Sequence, residues 1–140
     1  MIWDKLNEQD WKKVAPYADT LLIPVMNIDL ENKAELEYQR KDSLHTAAEI
    51  ERQLTGRVLL LPPVAYIANE TWFQSYITSI RRQGEVGGFR HLFFLLDEKV
   101  LEVTPHIDWG AHLSISEQRD SVAQIQQLCE QIVQKWQKEV

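Results

Sequence analysis

His106-Ile107-Asp108 sets an imidazole and a carboxylate two residues apart. In an extended chain residues i and i+2 share a face, so this pair could ligate a metal or pass a proton, with His112 close by in sequence. No third ligand is identifiable, and hydrogen bonding in a loop satisfies an imidazole equally well. Asp29 and Glu70 could do acid–base work if they met across neighbouring strand ends and burial raised one of them. A structural role competes at both: Glu70 falls in the first turn of a helix, where the dipole favours a carboxylate, and Asp29 just precedes another helix start. The structural role is the preferred reading at each of these positions.

Other chemistries lack their signatures. No G-x-G-x-x-G follows a strand and no G-x-x-x-x-G-K-[ST] occurs, so no dinucleotide or phosphate loop is expected. Gly87-Gly88 precedes an apolar run and reads as a turn. No G-x-S-x-G elbow presents a serine. A single cysteine excludes an internal disulfide framework and a cysteine-rich zinc site; Cys129 falls on an apolar helical stripe with Val122, Ile125, Ile132 and Trp136 and reads as an inert core thiol. The 15 Lys and Arg against 21 Asp and Glu give a net charge of −6, which disfavours a nucleic-acid surface. Arg81, Arg82 and Arg90 flank the glycine turn and read as a solvated surface. Neither a cofactor nor a metal is expected.

The elements that would position these groups follow from the apolar runs. Residues 20–27 (TLLIPVMN), 57–61 (RVLLL) and 91–96 (HLFFLL) are continuous instead of alternating, as in strands covered on both faces. Pro24 is expected to fray or end the first strand, and Pro62-Pro63 to end the second. Between them lie a short helix near 7–14, a long helix over 31–54 that breaks near 41–43, and a helix capped by Asn69 with Phe73, Tyr76, Ile77 and Ile80 on its apolar face. Two helices between three strands make right-handed βαβ units. Residues 100–107 could hold a fourth strand and 113–115 another short piece, and Ser114 with Glu117 fits a capping box before a last helix over 117–138. The 140 residues, without linker or repeat, predict a single α/β domain. Its architecture is a mainly parallel three- to four-stranded sheet with helices packed on it, doubly wound with Rossmann-like or flavodoxin-like layering.

Ligands of open parallel sheets gather at the strand carboxyl ends. That rule selects Asn27 and Asp29 after the first strand, Tyr66, Asn69, Glu70 and Trp72 after the second, Asp97 and Glu98 after the third, and His106, Asp108 and Trp109 if the fourth segment ends on the same side. The set is rich in carboxylates and aromatics and poor in cations. Trp72 and Trp109 fall at the loop edge, as core lids or partner anchors. Trp11 and Trp136 read as helix-to-sheet packing.

Tyr17-Ala18-Asp19-Thr20 leading into LLIPV, and residues 51–62 (ERQLTGRVLLLP), resemble the uncharacterised YpiF-like family of Bacillus and related bacteria. The resemblance runs from the first helix through the third strand, and its fingerprints are an Asp-Thr entry to one strand and a Gly-Arg entry to another. It implies no assigned activity and no catalytic residues, so none is transferred. It also implies, for some relatives, genes near those for a menaquinol–cytochrome reductase. LLIPV and LLLPPVAY loosely echo creatininase-like amidohydrolases, but those enzymes are longer and need several metal-binding His, Asp and Glu residues directly after the strands; here Asn27 and Asp29 follow the first strand without any histidine, and that reading is rejected.

The sequence therefore predicts a cytoplasmic binding or assembly module, without exported leader or membrane span, whose partner is a protein or a second copy; its small-molecule ligand is unspecified. The alternative is a small hydrolase or metal-dependent enzyme using Asp29, Glu70, His106 and Asp108 at the strand carboxyl ends.

Overall fold

The computed structural model describes residues 1–67, 69–116 and 121–138. Five strands form one parallel sheet: β1 (Thr20–Asn27), β2 (Val58–Leu60), β3 (Val64–Tyr66), β4 (His91–Asp97) and β5 (His112–Ile115). The order is β2-β1-β4-β5, with β3 continuing alongside β1 beyond β2. The three apolar runs are thus neighbours pointing the same way, as expected of strands whose two faces are both buried.

The prolines act differently from expectation. Pro62-Pro63 interrupt the edge strand but do not end it, because the chain resumes pairing with β1 at Val64. Pro24 does not end β1; it sits in register with Leu95 of β4. Leu61 N–H donates to Leu22 O at 3.0 Å, so Leu22 and, two residues on, Pro24 turn their backbone polar groups towards the edge strand. The donor that Pro24 lacks therefore faces the gap that Pro62-Pro63 leave, and no ladder bond is lost on the β4 side.

Around the sheet lie α1 (Glu8–Val14), α2 (Leu36–Gln53), α3 (Glu70–Val86), α4 (Glu98–Val103) and α5 (Ser121–Lys138). Asn7 caps α1 by accepting from Asp10 N–H at 2.8 Å, and Asn69 caps α3 by accepting from Trp72 N–H at 3.1 Å. The long helix α2 has no break at 41–43. Its buried line is Ser43, Thr46, Ala47 and Ile50, and Leu44 lies exposed beside it. The strand expected within 100–107 is instead α4. Asp97 accepts from Lys99 N–H at 2.9 Å and starts a helix, and Val100, fully buried, anchors it despite the β-branched composition. Ser114 lies within β5 and caps no helix there; its expected partner at 117 falls outside the described residues.

Leu22, Phe93, Leu95, Leu113 and Ile115 meet α2 and α5 through Ala47, Ile50, Leu128, Cys129 and Ile132 on one face. On the other, Ile23, Val25, Phe94 and Leu96 meet Phe73 and Ile77 of α3. A smaller cluster of Met1, Ala18, Leu21 and Leu59 carries Trp11 and Val14 of the α1 region. Helices on both faces and the edge position of β2 and β3 match the doubly wound expectation.

A closed ring of side chains pins the strand amino ends. Arg57 donates to both Asp19 oxygens, at 3.2 and 2.7 Å, and lies 3.8 Å from the centre of the Trp136 ring. Trp136 Nε1–H donates to Thr20 Oγ1 at 2.9 Å, and that hydroxyl donates to Asp19 at 3.0 Å. Burial works against the Asp19 charge, but the Arg57 and Thr20 hydrogen bonds and the charges of Arg57 and His91 hold its carboxyl below the usual aspartate value. The Asp-Thr and Gly-Arg strand entries thus meet through Asp19 and Arg57.

Candidate functional site

At the strand carboxyl ends the candidate carboxylates bond backbone amides. Asp29 accepts from Glu31 N–H at 3.0 Å, Asp97 caps α4, and Asp108 accepts from Gly110 N–H at 3.0 Å. Glu70 accepts from His106 N–H at 2.6 Å. Glu70 and His106 do meet, but through the histidine's backbone, and His106 lies in a turn, so the shared face expected for His106 and Asp108 in an extended chain is absent. His112, on β5, lies 3.0 Å through Nδ1 from Gly110 O. Among the described residues no three His, Cys, Asp or Glu approach as a metal site. Asn27 pairs in register with Tyr66. Burial pushes the Tyr66 phenol up and the Glu70 charge adds to it, which favours the protonated phenol. Cys129 is likewise buried, and burial followed by the Glu130 charge raises its thiol.

What Glu70, His106, Asp108 and Trp109 build together is a strap. Residues 104–111 run along one flank of α3: His106 N–H on Glu70, Asp108 N–H on Gln74 Oε1 at 2.8 Å, and Arg81 3.5 Å from the Asp108 carboxylate. Positions 70, 74 and 81 fall on nearly one line of a helix. Trp109 is the strap's anchor. It is 3% exposed, edge-on to Phe73 at 5.8 Å and to Phe94 at 5.4 Å, and its Nε1–H donates to Thr104 Oγ1 at 3.1 Å. Tyr66 completes the ring cluster, 5.1 Å from Phe73. The strap thus covers the sheet where a second helix would otherwise lie.

Among the described residues the opposite flank of α3 has no such cover. Trp72, 62% exposed, stacks on Tyr76, 40% exposed, with ring centres 5.6 Å apart and planes within 6°. With Ile80 they form one wall of a groove whose other wall is Leu61, Pro62, Pro63 and Val64 of the edge strand, enclosing about 490 Å³. Beyond Leu61 and Ile80 it meets a second apolar cleft of about 370 Å³ bordered by Trp3, Trp11 and Phe89. Residues Met1 and Ile2 cover the β2 part of the edge, where Leu60 N–H donates to Met1 O at 2.7 Å. Met1 also carries an ion pair between its ammonium group and Glu51.

Of the residues selected from sequence, Trp72 alone lines this groove. Tyr76 and Ile80 were read as core, and Pro62 and Pro63 as a strand terminator. The available signal was the width of the apolar face of α3: Trp72, Tyr76 and Ile80 form a second stripe beside Phe73 and Ile77, more than one sheet face can bury.

The model of the family described as "Protein of unknown function (DUF2487)" matches residues 9–136. A 68-residue stretch is 35% identical to the "Uncharacterized protein YpiF" of Bacillus subtilis (strain 168), covering 48% of this chain and 46% of that protein. The match thus spans just under half the length of that relative. No solved structure matches the chain.

Proposed function

The chain belongs to the DUF2487 family of proteins of unknown function, and from that premise we propose that it is a binding module whose docking face is the groove between α3 and the β2–β3 edge. The observation that carries the reading is the stacked, exposed Trp72–Tyr76 pair opposite Pro62-Pro63. Exposed aromatics concentrate binding energy at protein interfaces. Parallel sheets are ordinarily covered on both faces, and a partner supplies the cover that this flank lacks. The occupant is an extended apolar segment of another polypeptide. The strap supports the choice of a chain segment, since on the other flank of α3 the chain closes the same sheet face with a segment outside helix and strand and one tryptophan. The edge of β3 away from β1, which no described strand pairs, offers backbone groups for strand addition.

The reading places the module in the cytoplasm, in keeping with its buried, unpaired Cys129. Among the described residues no helix is long and apolar enough to cross a membrane. The hydrolase or metal-enzyme alternative draws no support from Asp29, Glu70 or Asp108, whose carboxylates bond backbone amides.

Panning a displayed random-peptide library on the protein, with counter-selection on Trp72→Ala/Tyr76→Ala, is expected to enrich extended apolar sequences that the double variant does not hold. No enrichment, or equal capture by the variant, overturns the reading. A dimeric mass in light scattering that reverts to monomer in the same variant replaces the foreign segment with a second copy.

A further inference from the structure

We propose that the cleft at the amino end of β4 binds a small phosphate-bearing anion. The chain carries a net charge of −6, yet Arg81, Arg90, His91 and Lys135 line a cleft of about 470 Å³ whose described lining residues include one acid, Glu85, with the Asp108 carboxylate beside Arg81. That volume falls in the range of small-ligand sites, roughly 300–1,000 Å³. Arg81, on α3, and Arg90, beyond the turn through Gly88, whose φ of +92° suits glycine, both line the cleft.

Arg81 is held in place at the cleft. Its Nη1 lies 3.4 Å from Asp108 O and 3.5 Å from the Asp108 carboxylate, and its guanidinium passes over Gly110, where a Cβ would stand 2.9 Å from Cζ. Gly110, whose φ of +64° itself suits glycine, leaves that space to the guanidinium, and a donor fixed in this way binds an anion with less ordering cost. Compensation of helix dipoles accounts for Lys135, in the last turn of α5, but not for the arginines: α3 has no basic residue in its last turn, and Arg90 lies beyond the helix. The cleft suits a compact anion better than a nucleic-acid strand, because an extended polyanion would run onto the acidic remainder of the surface.

Calorimetric titration with inorganic pyrophosphate at constant ionic strength tests the site on the full chain. Saturable binding at one site per chain is expected, weakened about tenfold or more by Arg90→Gln or Lys135→Gln, the loss of one charge-assisted hydrogen bond. Both residues are exposed, so these variants fold. Trp72→Ala is expected to bind pyrophosphate normally, which separates this site from the groove. Absence of saturable heat, wild-type affinity in Arg90→Gln and Lys135→Gln, or preference for a single-stranded oligonucleotide over pyrophosphate overturns the proposal.

Discussion

The two flanks of α3 face the same side of the same sheet and have opposite fates. On one, residues 104–111 lie along Glu70, Gln74 and Arg81 and drive Trp109 between Phe73 and Phe94. On the other, Trp72 and Tyr76 stack on each other across a groove from Pro62-Pro63, with none of the described residues covering them. The difference lies in what each tryptophan can satisfy within its own chain. Trp109 has a hydroxyl acceptor for its indole N–H and rings on two sides; Trp72 keeps most of its surface in water. A flank closed by its own chain contributes to stability, whereas one left open is available for recognition, and substitutions on either side separate the two roles.

The largest effect belongs on the closed flank. Trp109→Ala removes the anchor from a cluster with Phe73 and Phe94 and is expected to cost about 3–5 kcal/mol in urea unfolding. A loss below about 1 kcal/mol would mean that the strap rests on the sheet without stabilising it, and the contrast between flanks would fail.

A reference outside both flanks is the ring at the strand amino ends. Asp19→Asn weakens a two-bond contact with Arg57, which is 43% exposed, so solvent screening limits the loss to about 1–2 kcal/mol at neutral pH. Because the folded carboxyl lies below its ordinary value of 3.8, the stability it adds is complete above that pH and is lost as pH falls through the lowered value. The gap between wild type and variant should therefore hold from neutrality to about pH 4 and narrow below it. A gap that widens in acid would reverse the assigned direction.

Smaller again is the strap's polar hem. Glu70→Ala removes the acceptor for His106 N–H at an exposed site, an expected cost of about 1 kcal/mol. Glu70→Gln retains an acceptor and should cost less than half of that. Equal losses would show that the charge of Glu70, and not its hydrogen bond, holds the strap. Hydrogen exchange at the His106 amide reports the same contact directly.

Legibility in the sequence follows the same division. Continuous apolar runs mark β1, β2 and β4 because a strand covered on both faces leaves no room for alternation. β3 was hidden because Pro62-Pro63 read as an ending, and whether a strand resumes depends on a neighbour whose own proline faces the gap. α4 was hidden because Val100 and Val103 favour strands until Asp97 caps a turn ahead of them. The carboxylates are placed near loop ends by the strand order along the sequence, but their backbone partners arise from folding: Glu70 meets an amide 36 residues away. The strap has no period of its own, so its course along α3 could not be read from spacing. Trp72 was visible as a candidate, and its open setting becomes evident once the strap is seen to occupy the other flank.

The smallest expected change in stability is the most decisive for the comparison. Trp72→Ala deletes as large a side chain as Trp109→Ala, from the same helix-to-sheet layer, and should shift unfolding by no more than about 0.5 kcal/mol, because its ring is mostly solvated before the substitution. Tyr76 loses its stacking neighbour and little else, whereas peptide capture should disappear. A cost above about 2 kcal/mol would place Trp72 in the core and make the groove a packing defect. A small cost with capture intact would leave the groove open but move recognition elsewhere, to the uncovered backbone of β3.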